Sequence, residues 1–514
     1  MSAQKKQKTT IFVEHANYSE YNEKKNKDMQ RLIGDIVLRH DSTYFYCDSA
    51  YLYDKKQDFD GFGNVHINSN DSLHIYGDLI KYTGSTTECV IYGNVKLYDD
   101  STTIVTDEMS YNRTTKIAHY PHSATITHGD NVLCSRKGTY DSENNIVSFY
   151  TEVVATTPDC KILTDTMIYY TNAHLLKFFG PTTLTNEDNI IFGKYGSYNS
   201  NTKQARAANE AFLENKNQSM AADSIFYSNE TDFAKANGNV VIRDTSNHII
   251  VSCNYGELWK KRGYTFVTDS LMLTHYENSD SLFLSSDSLT LTFDTISEKL
   301  SEAKAFDNVR FYRKDIQGKC GLLDYHKSDS TIKLKMAPIV WSDSSQMTAT
   351  SIRLTTANNK IDSIFLNGSG FIAMHDSLGG FNQIKGDTIV SVLKDNKPSK
   401  ITSTRNAEMV FYAREDDGSL SGMNNAKATS IVFLTNDNKI KNVIYKGKSS
   451  EVMYPEKEIN EKNSILEGFA WHNKIRPRSK DDVMTEKAVE TLEATPQRKE
   501  TPNAPDKKQR RRRR

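Results

Sequence analysis

Proline and cysteine are both scarce in this chain of 514 residues, at 10 and 6. Few prolines leave long ladders of backbone N–H groups free to pair. The cysteines, Cys47, Cys89, Cys134, Cys160, Cys253 and Cys320, include no C-x-x-C pair, which argues against zinc and thioredoxin-type sites. The expectation is mostly free, buried thiols acting as small hydrophobes, with one incidental disulfide left open. No run of 18 apolar residues occurs, which excludes a transmembrane helix. Net charge is missing too, with 65 basic residues against 65 acidic ones, so the whole chain is not a polyanion binder by charge. The one basic concentration is terminal, Lys507-Lys508 and Arg510 to Arg514; no nucleic-acid partner is expected. G-x-S-x-G, P-loop and H-E-x-x-H motifs are absent, and neither cofactor nor metal site nor catalytic residue is expected. Met1 to Lys6 has no apolar stretch after its lysines, so it does not read as a signal peptide. Either the protein is cytosolic or the chain begins near a mature start.

What is present is aromatic, with 27 Tyr and 22 Phe, and repetitive. Gly34-Asp35-Ile36-Val37-Leu38, Gly63-Asn64-Val65-His66-Ile67 and Gly93-Asn94-Val95-Lys96-Leu97 are one motif. Continued at 29–31 residues, it passes Ala124, Val153, Thr182 and Ala211 to Gly238-Asn239-Val240. Two residues further on runs a second apolar column: Leu38, Ile67, Leu97, Ile126, Ala155, Leu184, Leu213, Ile242. A spacing of two on one face is strand geometry.

A second strand per unit is anchored on a polar column: Asp48, Asp78, Asp107, Arg136, Asp165, Lys194, Asp223, Asn254. Three residues before it stand Phe45, Ile75, Ile104, Leu133, Ile162, Ile191, Met220 and Val251. One before it the column is small, from Cys47 and Gly77 to Cys253. Four after it stand Leu52, Tyr82, Tyr111, Tyr140, Tyr169, Tyr198, Tyr227 and Leu258. Inward positions are odd before the anchor and even after it. A strand alternates strictly, so a β-bulge or sharp bend is expected at the anchor. Stacked units then bury a face that one unit cannot, with equal columns one strand spacing apart.

The organisation read from the sequence is a lead and first strand at 1–30, a regular array at 31–260, and degenerate repeats at 261–305. A second degenerate array follows at 306–453, then a largely disordered basic tail at 454–514. The tail holds one apolar island, Leu466-Glu467-Gly468-Phe469-Ala470-Trp471, then Arg476-Pro477-Arg478-Ser479, with Ser479 and Asp482 placed to cap a short helix toward Leu492.

With its repeats laid out, the chain resembles the OstA-like family. These are lipopolysaccharide-transport proteins of the LptA type and the periplasmic N-terminal domain of LptD, in the long form found in Bacteroidetes. The likeness rests on Gln30 to Val37 with Cys47-Asp48-Ser49-Ala50-Tyr51, on Phe62 to Ile67 with Asp71 to Asp78, and on the Gly468-to-Pro477 island. It implies an elongated all-β repeat jelly roll, or β-taco, whose walls part as a V. It implies a periplasmic, outer-membrane-associated carrier of lipid A acyl chains that joins other transport components, or itself, through end-to-end sheet edges. Such proteins carry an export signal, and none is visible here.

The apolar columns have two readings. One is the dry core that any repeat array needs. The other is a slot for acyl chains, in which each buried methylene contributes about 0.8 kcal/mol. The resemblance favours the slot, with Val65, Ile67, Ile75, Val95, Leu97, Ile104, Ile126, Leu133 and Ile162 as lining. Tyr82, Tyr111, Tyr140 and Tyr169 would stand at the rim, or form a stacked ladder. Asp48, Asp78 and Asp107 suggest a glycosidase pair or a calcium site. Arg136 and Lys194 in the same column make a charge-compensated ladder the better reading. His119 and His122 point to opposite faces, while His66 and His74 face each other on the outside, where weak adventitious metal binding is the most expected. The alternatives to transport are a β-helical carbohydrate-active protein and a structural or adhesive repeat protein.

Overall fold

The computed structural model describes residues 10–21, 28–69, 72–277, 280–357, 360–376, 379–394, 397–415, 417–436 and 439–484. Two compact units divide the chain: Met1–Asp269 with Thr290–Leu300, and Ser270–Leu289 with Ser301–Arg514. The first holds the regular repeats. Its strands Met29–His40, Thr43–Tyr53, Asp58–Asn68, Leu73–Thr83, Glu88–Asp99 and Thr102–Asn112 each pair antiparallel with the next, and the pattern continues to Ile249–Trp259. This consecutive antiparallel array is a repeat jelly roll. It is not a β-helix, whose coils pair in parallel.

Each strand alternates buried and exposed residues and breaks that alternation once. In Thr43–Tyr53 the buried residues are Thr43, Phe45 and Cys47, then Ala50 and Leu52. The parity change expected from sequence is therefore present, but the extra residue is not on the anchor strand. Tyr46 pairs with His66 and Ser49 with Phe62, so the neighbouring strand fits one more residue into the same span. That residue belongs to Gly63-Asn64, both left-handed at φ 76° and 44°. Gly34-Asp35, Gly93-Asn94, Thr151-Glu152, Asn209-Glu210 and Gly238-Asn239 repeat the conformation. At Gly63 glycine is favoured, because a Cβ there would lie 2.4 Å from Asp48 Oδ2 on top of the unfavourable φ, whereas Thr151 and Asn209 take the same place in other units. One unit departs from the plan. Pro121 has no N–H to give, and the chain there splits into Ile117–Tyr120 and Ala124–His128.

The bends line up from strand to strand and fold the array into two walls. Wall A carries the segments after each glycine pair and before each anchor, such as Val65–Asn68 and Thr43–Cys47. Wall B carries the others, such as Asp58–Gly61 and Ala50–Tyr53. Because a unit contributes two strands, equal columns sit two strand spacings apart rather than one, and the two columns of each wall interleave.

The second unit follows the same plan, with left-handed pairs at Asp307-Asn308, Met336-Ala337, Gly368-Ser369 and Arg405-Asn406. Its strands reach 18 residues, Lys397–Arg414. The tail departs from the expected disorder, because residues 455–484 are folded. Ser479 Oγ accepts the Asp482 N–H at 3.2 Å, the cap that the sequence suggested. Leu492 and the arginine run lie outside the described residues. Among the described residues no helix is long and apolar enough to cross a membrane.

Candidate functional site: the interior of the first unit

The predicted lining comes together on wall A. Ile67 pairs with Ile75, Ile75 with Leu97, Leu97 with Ile104, Ile104 with Ile126 and Ile126 with Leu133. Leu133 pairs with Ala155 and Ala155 with Ile162. The two columns seen in sequence thus form one row. It starts at Leu38 and Phe45, continues through Leu184, Ile191, Leu213, Met220 and Ile242, and ends at Val251. Every member is apolar across sixteen strands, a track of roughly 70 Å at the usual strand spacing. Val65 and Val95 flank it nearer the bend, where they pair with Gly77 and Thr106.

The small column has a cross-wall cause. A Cβ on Gly77 would stand 2.4 Å from Ile91 Cγ2 of wall B, and one on Gly193 would stand 2.9 Å from the Ala207 Cβ. Near the bend the walls are too close for side chains on both.

At the open side the walls are in contact as well. The Phe45 ring lies 5.1 Å from Phe59 and 5.0 Å from Tyr82, both on wall B. All nine predicted lining residues and all four tyrosines are at most 2% exposed. The interior is filled and shut, and an open groove is absent in this conformation.

The tyrosines lie on wall B at the side away from the bend, turned inward and buried, and their hydroxyls reach the hairpins of wall A. Tyr82 OH meets His40 Nδ1 at 2.6 Å and accepts from Arg113 Nη1 at 2.7 Å. Tyr140 OH donates to Asp99 Oδ2 at 2.9 Å. Tyr169 OH meets His128 Nδ1 at 2.8 Å and accepts from Asn131 at 3.2 Å. Tyr227 OH accepts from Asn189 across the walls at 3.0 Å and donates to Asp232 in its own wall-B turn at 2.9 Å. Tyr111 approaches Ser69 at 3.4 Å. Arg113 extends the first clasp, donating to Thr43 Oγ1 at 2.9 Å and to the His40 carbonyl at 2.6 Å. Burial pushes the Tyr82 phenol up to about 12 and raises Tyr169 as well. Burial, then His174, holds His128 below the ordinary imidazole value.

The seal weakens toward the end of the array. A cavity of about 20 Å³, room for one water, lies between Leu184 and Ile191 of wall A and Tyr198, Ala205 and Tyr227 of wall B. Leu213 is 6% exposed and Ile242 is half-buried. Here alanines replace bulkier wall-B residues: Ala205 and Ala207 pair with Tyr227 and Ile225. The predicted lining stopped short of this stretch. The sequence signal was available in the alanines from Ala205 to Ala236.

The polar column is a ladder of pairs 16 residues apart. Asp48 accepts from Asn64 at 2.9 Å, Asp78 from Asn94 at 2.8 Å and Asp223 from Asn239 at 3.2 Å. Where the anchor turns basic, its partner turns acidic: Arg136 meets Glu152 at 2.7 Å, and Lys194 meets Glu210. The carboxylates of Asp48, Asp78 and Asp223 thus lie along the outer bend, each held by an asparagine. A recess of about 540 Å³ opens outward beside Asp107, Arg136 and Glu152, not between the walls. His66 Nε2 and His74 Nδ1 are 3.1 Å apart on the outer face, as expected. Among the described residues no group of three or more His, Cys, Asp and Glu is placed to hold a metal. The six cysteines are free, and Cys47, Cys89, Cys253 and Cys320 are buried.

No curated protein matches the chain. Among solved structures, one match is LptH of Pseudomonas aeruginosa, described as the LptA-homologous periplasmic component of the lipopolysaccharide transport device. It is 12% identical, with a TM-score of 0.22, over 28% of this chain and 96% of that one. The family of OstA-like proteins matches residues 8–165 and 159–265. By that match, which spans the regular array and half the chain, the protein is a member of the OstA-like family.

Proposed function

We propose that the chain is a periplasmic, non-enzymatic carrier that holds the acyl chains of lipopolysaccharide between the two walls of its first unit and helps deliver them to the outer membrane. The observation that carries this reading is the unbroken apolar row from Leu38 to Val251. A closed core tolerates an occasional buried Thr or Ser, as the small column does at Thr106 and Ser135. The row contains none, so nothing along it would fix a lipid in one place. Loading requires the walls to part at the mouth, which releases the tyrosine clasps in turn. The loose stretch around Leu184, Ala205 and Leu213 is where parting begins. Partners would be lipopolysaccharide, other transport components at the sheet edges, and further copies of the chain.

Native mass spectrometry on protein purified from a Gram-negative periplasm, with lipid extraction, tests the reading. Bound lipopolysaccharide or lipid A is the expected result. Ala205→Val, which takes up the cavity, should reduce that lipid while circular dichroism stays unchanged. A folded wild-type protein that carries no lipid and takes up none when it is added would refute transport and leave a structural repeat protein.

A further inference from the structure

The island Leu466–Trp471 takes no part in the interior of either unit. It belongs to a strap of short turns and irregular chain, residues 459–484, lying across the outer face of the second unit. The strap adds no strand to the sheet. It crosses the strands, and one register row meets it. Gln317 pairs with Trp341, Trp341 with Gln346, Gln346 with Ala373, Ala373 with Gln383, Gln383 with Val410 and Val410 with Asn425. Every second strand of this row carries a side-chain amide.

Those amides read the strap's backbone. Asn425 Nδ2 donates to the Asn463 carbonyl at 2.9 Å. Gln383 donates to the Ser464 carbonyl at 2.8 Å and accepts the Leu466 N–H at 2.9 Å. Gln346 repeats the pattern six residues on, donating to the Ala470 carbonyl and accepting the His472 N–H, both at 2.7 Å. Gln317 Oε1 takes Arg476 from Nε and Nη2 at 2.9 and 2.6 Å. At Gln383 and Gln346 one amide both donates and accepts toward C=O and N–H groups two residues apart, contacts that engage the strap's backbone and not its side chains. Sequence is read separately. Leu466 is buried against Phe371, Val410, Tyr412 and Met423, and Phe469 and Trp471 each lie 4.9 Å from the Phe381 ring.

We propose that this outer face is a peptide-reading track and that the strap is a separable ligand for it, so that the strap of one copy of this chain docks on the track of a second copy. Two observations support separability. Of the strap residues only Leu466, Pro477 and Val483 are buried. Its tether is the exposed single turn Glu456–Glu458 after the last strand. The second copy follows because the chain that carries the track also carries the pattern it fits.

The test uses the full chain with Leu466→Asp and Trp471→Ala, which weaken the strap and leave the track intact. Trypsin cleavage at Lys474 and Arg478 should rise, showing the strap released. A fluorescent peptide spanning residues 459–484 should then bind saturably. Adding Gln346→Ala and Gln383→Ala should weaken that binding at least about tenfold. The wild-type chain, its track occupied, should bind the peptide less well than the strap-weakened one. If the strap-weakened chain is trypsin-sensitive, keeps its far-ultraviolet β signal and binds no peptide, the proposal fails. Should the variant not fold, a specific protease site placed at Glu456–Glu458 lets the folded wild-type chain be cut. A cut strap that exchanges with excess labelled peptide supports the proposal, and one that never exchanges overturns it.

Discussion

Arg113 is the strongest single fastening of the first unit, so its removal is the sharpest probe of the seal. Its side chain is 7% exposed and its guanidinium reaches from a wall-B turn to the His40–Thr43 hairpin of wall A. It donates to Tyr82, Thr43 and the His40 carbonyl, and meets the Asp41 carboxylate at 3.3 Å. Charge-assisted hydrogen bonds to buried neutral partners contribute about 1.5–3 kcal/mol each when one partner is removed. The half-exposed Asp41 adds less than about 1 kcal/mol. Desolvation of the guanidinium offsets part of this, which brings Arg113→Ala to about 3 kcal/mol. Tyr82→Phe leaves the buried His40 Nδ1 without its partner and should cost about 1–2 kcal/mol. The two changes remove one shared bond, so the double variant should lose about 1 kcal/mol less than the sum.

Urea unfolding followed by circular dichroism measures all three losses. Uptake of a fluorescent acyl probe measures what they do to the mouth. Each single variant should load faster than wild type, because a clasp is already undone. Additivity within about 0.3 kcal/mol would mean that Tyr82 and Arg113 do not act together. Destabilised variants that load at the wild-type rate would show that the mouth is not the route.

Three further outcomes are expected. Ile104→Ala, in the most tightly filled part of the row, should cost about 2–5 kcal/mol in urea, and a loss under about 1 kcal/mol would mean that the walls relax together freely. At the bend, Arg136→Asp sets two acids against each other and should lower the melting temperature; adding Glu152→Asn recreates the Asp–Asn rung found at Asp48 and Asn64 and should restore it, so equal melting of the single and double variants would discard the ladder. Burial depresses His128 in the fold, so its stabilising contribution is present above the unfolded value near 6.5 and is lost as the pH falls through the folded value; acid unfolding of His128→Asn should show a shallower slope between pH 7 and 5, and an unchanged slope would remove His128 from the account.

The repeat made the fold legible, and for a physical reason. A strand that must bury one face and bend once leaves a fixed signature: apolar residues at spacing two, a small residue where walls converge, and a parity change between. Phe45, Cys47 and Leu52 carried all three. What stayed hidden depends on contacts across the walls. Sequence gives no distance between Phe45 and Phe59, which are neighbours in different walls, so filled and open interiors read alike. The tyrosine hydroxyls were equally mute, because their partners lie about 40 residues away in hairpins of ordinary turn composition. The bulge was placed one strand off because Gly63-Asn64 and Asp48 mark the same bend from opposite sides. The strap could be seen as an island but not located, since its contacts with Gln346 and Gln383 join segments more than 80 residues apart.

The first unit is sealed most tightly where its sequence is most regular and loosest where alanine enters. This gradient bears on direction. In the segment from Ile67 to Ile162 the predicted lining is at most 2% exposed, and parting the walls there exposes all of that surface at once. Around Ala205 and Leu213 the opposing side chains are smaller and a cavity already exists, so the first opening costs less there than anywhere upstream. A chain entering at this end would then widen the mouth one clasp at a time, each step replacing wall-to-wall contact with wall-to-acyl contact of similar area. The net change per step is small, and movement along such a track is set by the polar clasps rather than by the apolar row. On the proposed reading, control over transport would reside in the hydroxyl-to-hairpin bonds, and the row from Leu38 to Val251 would be the surface along which acyl chains move.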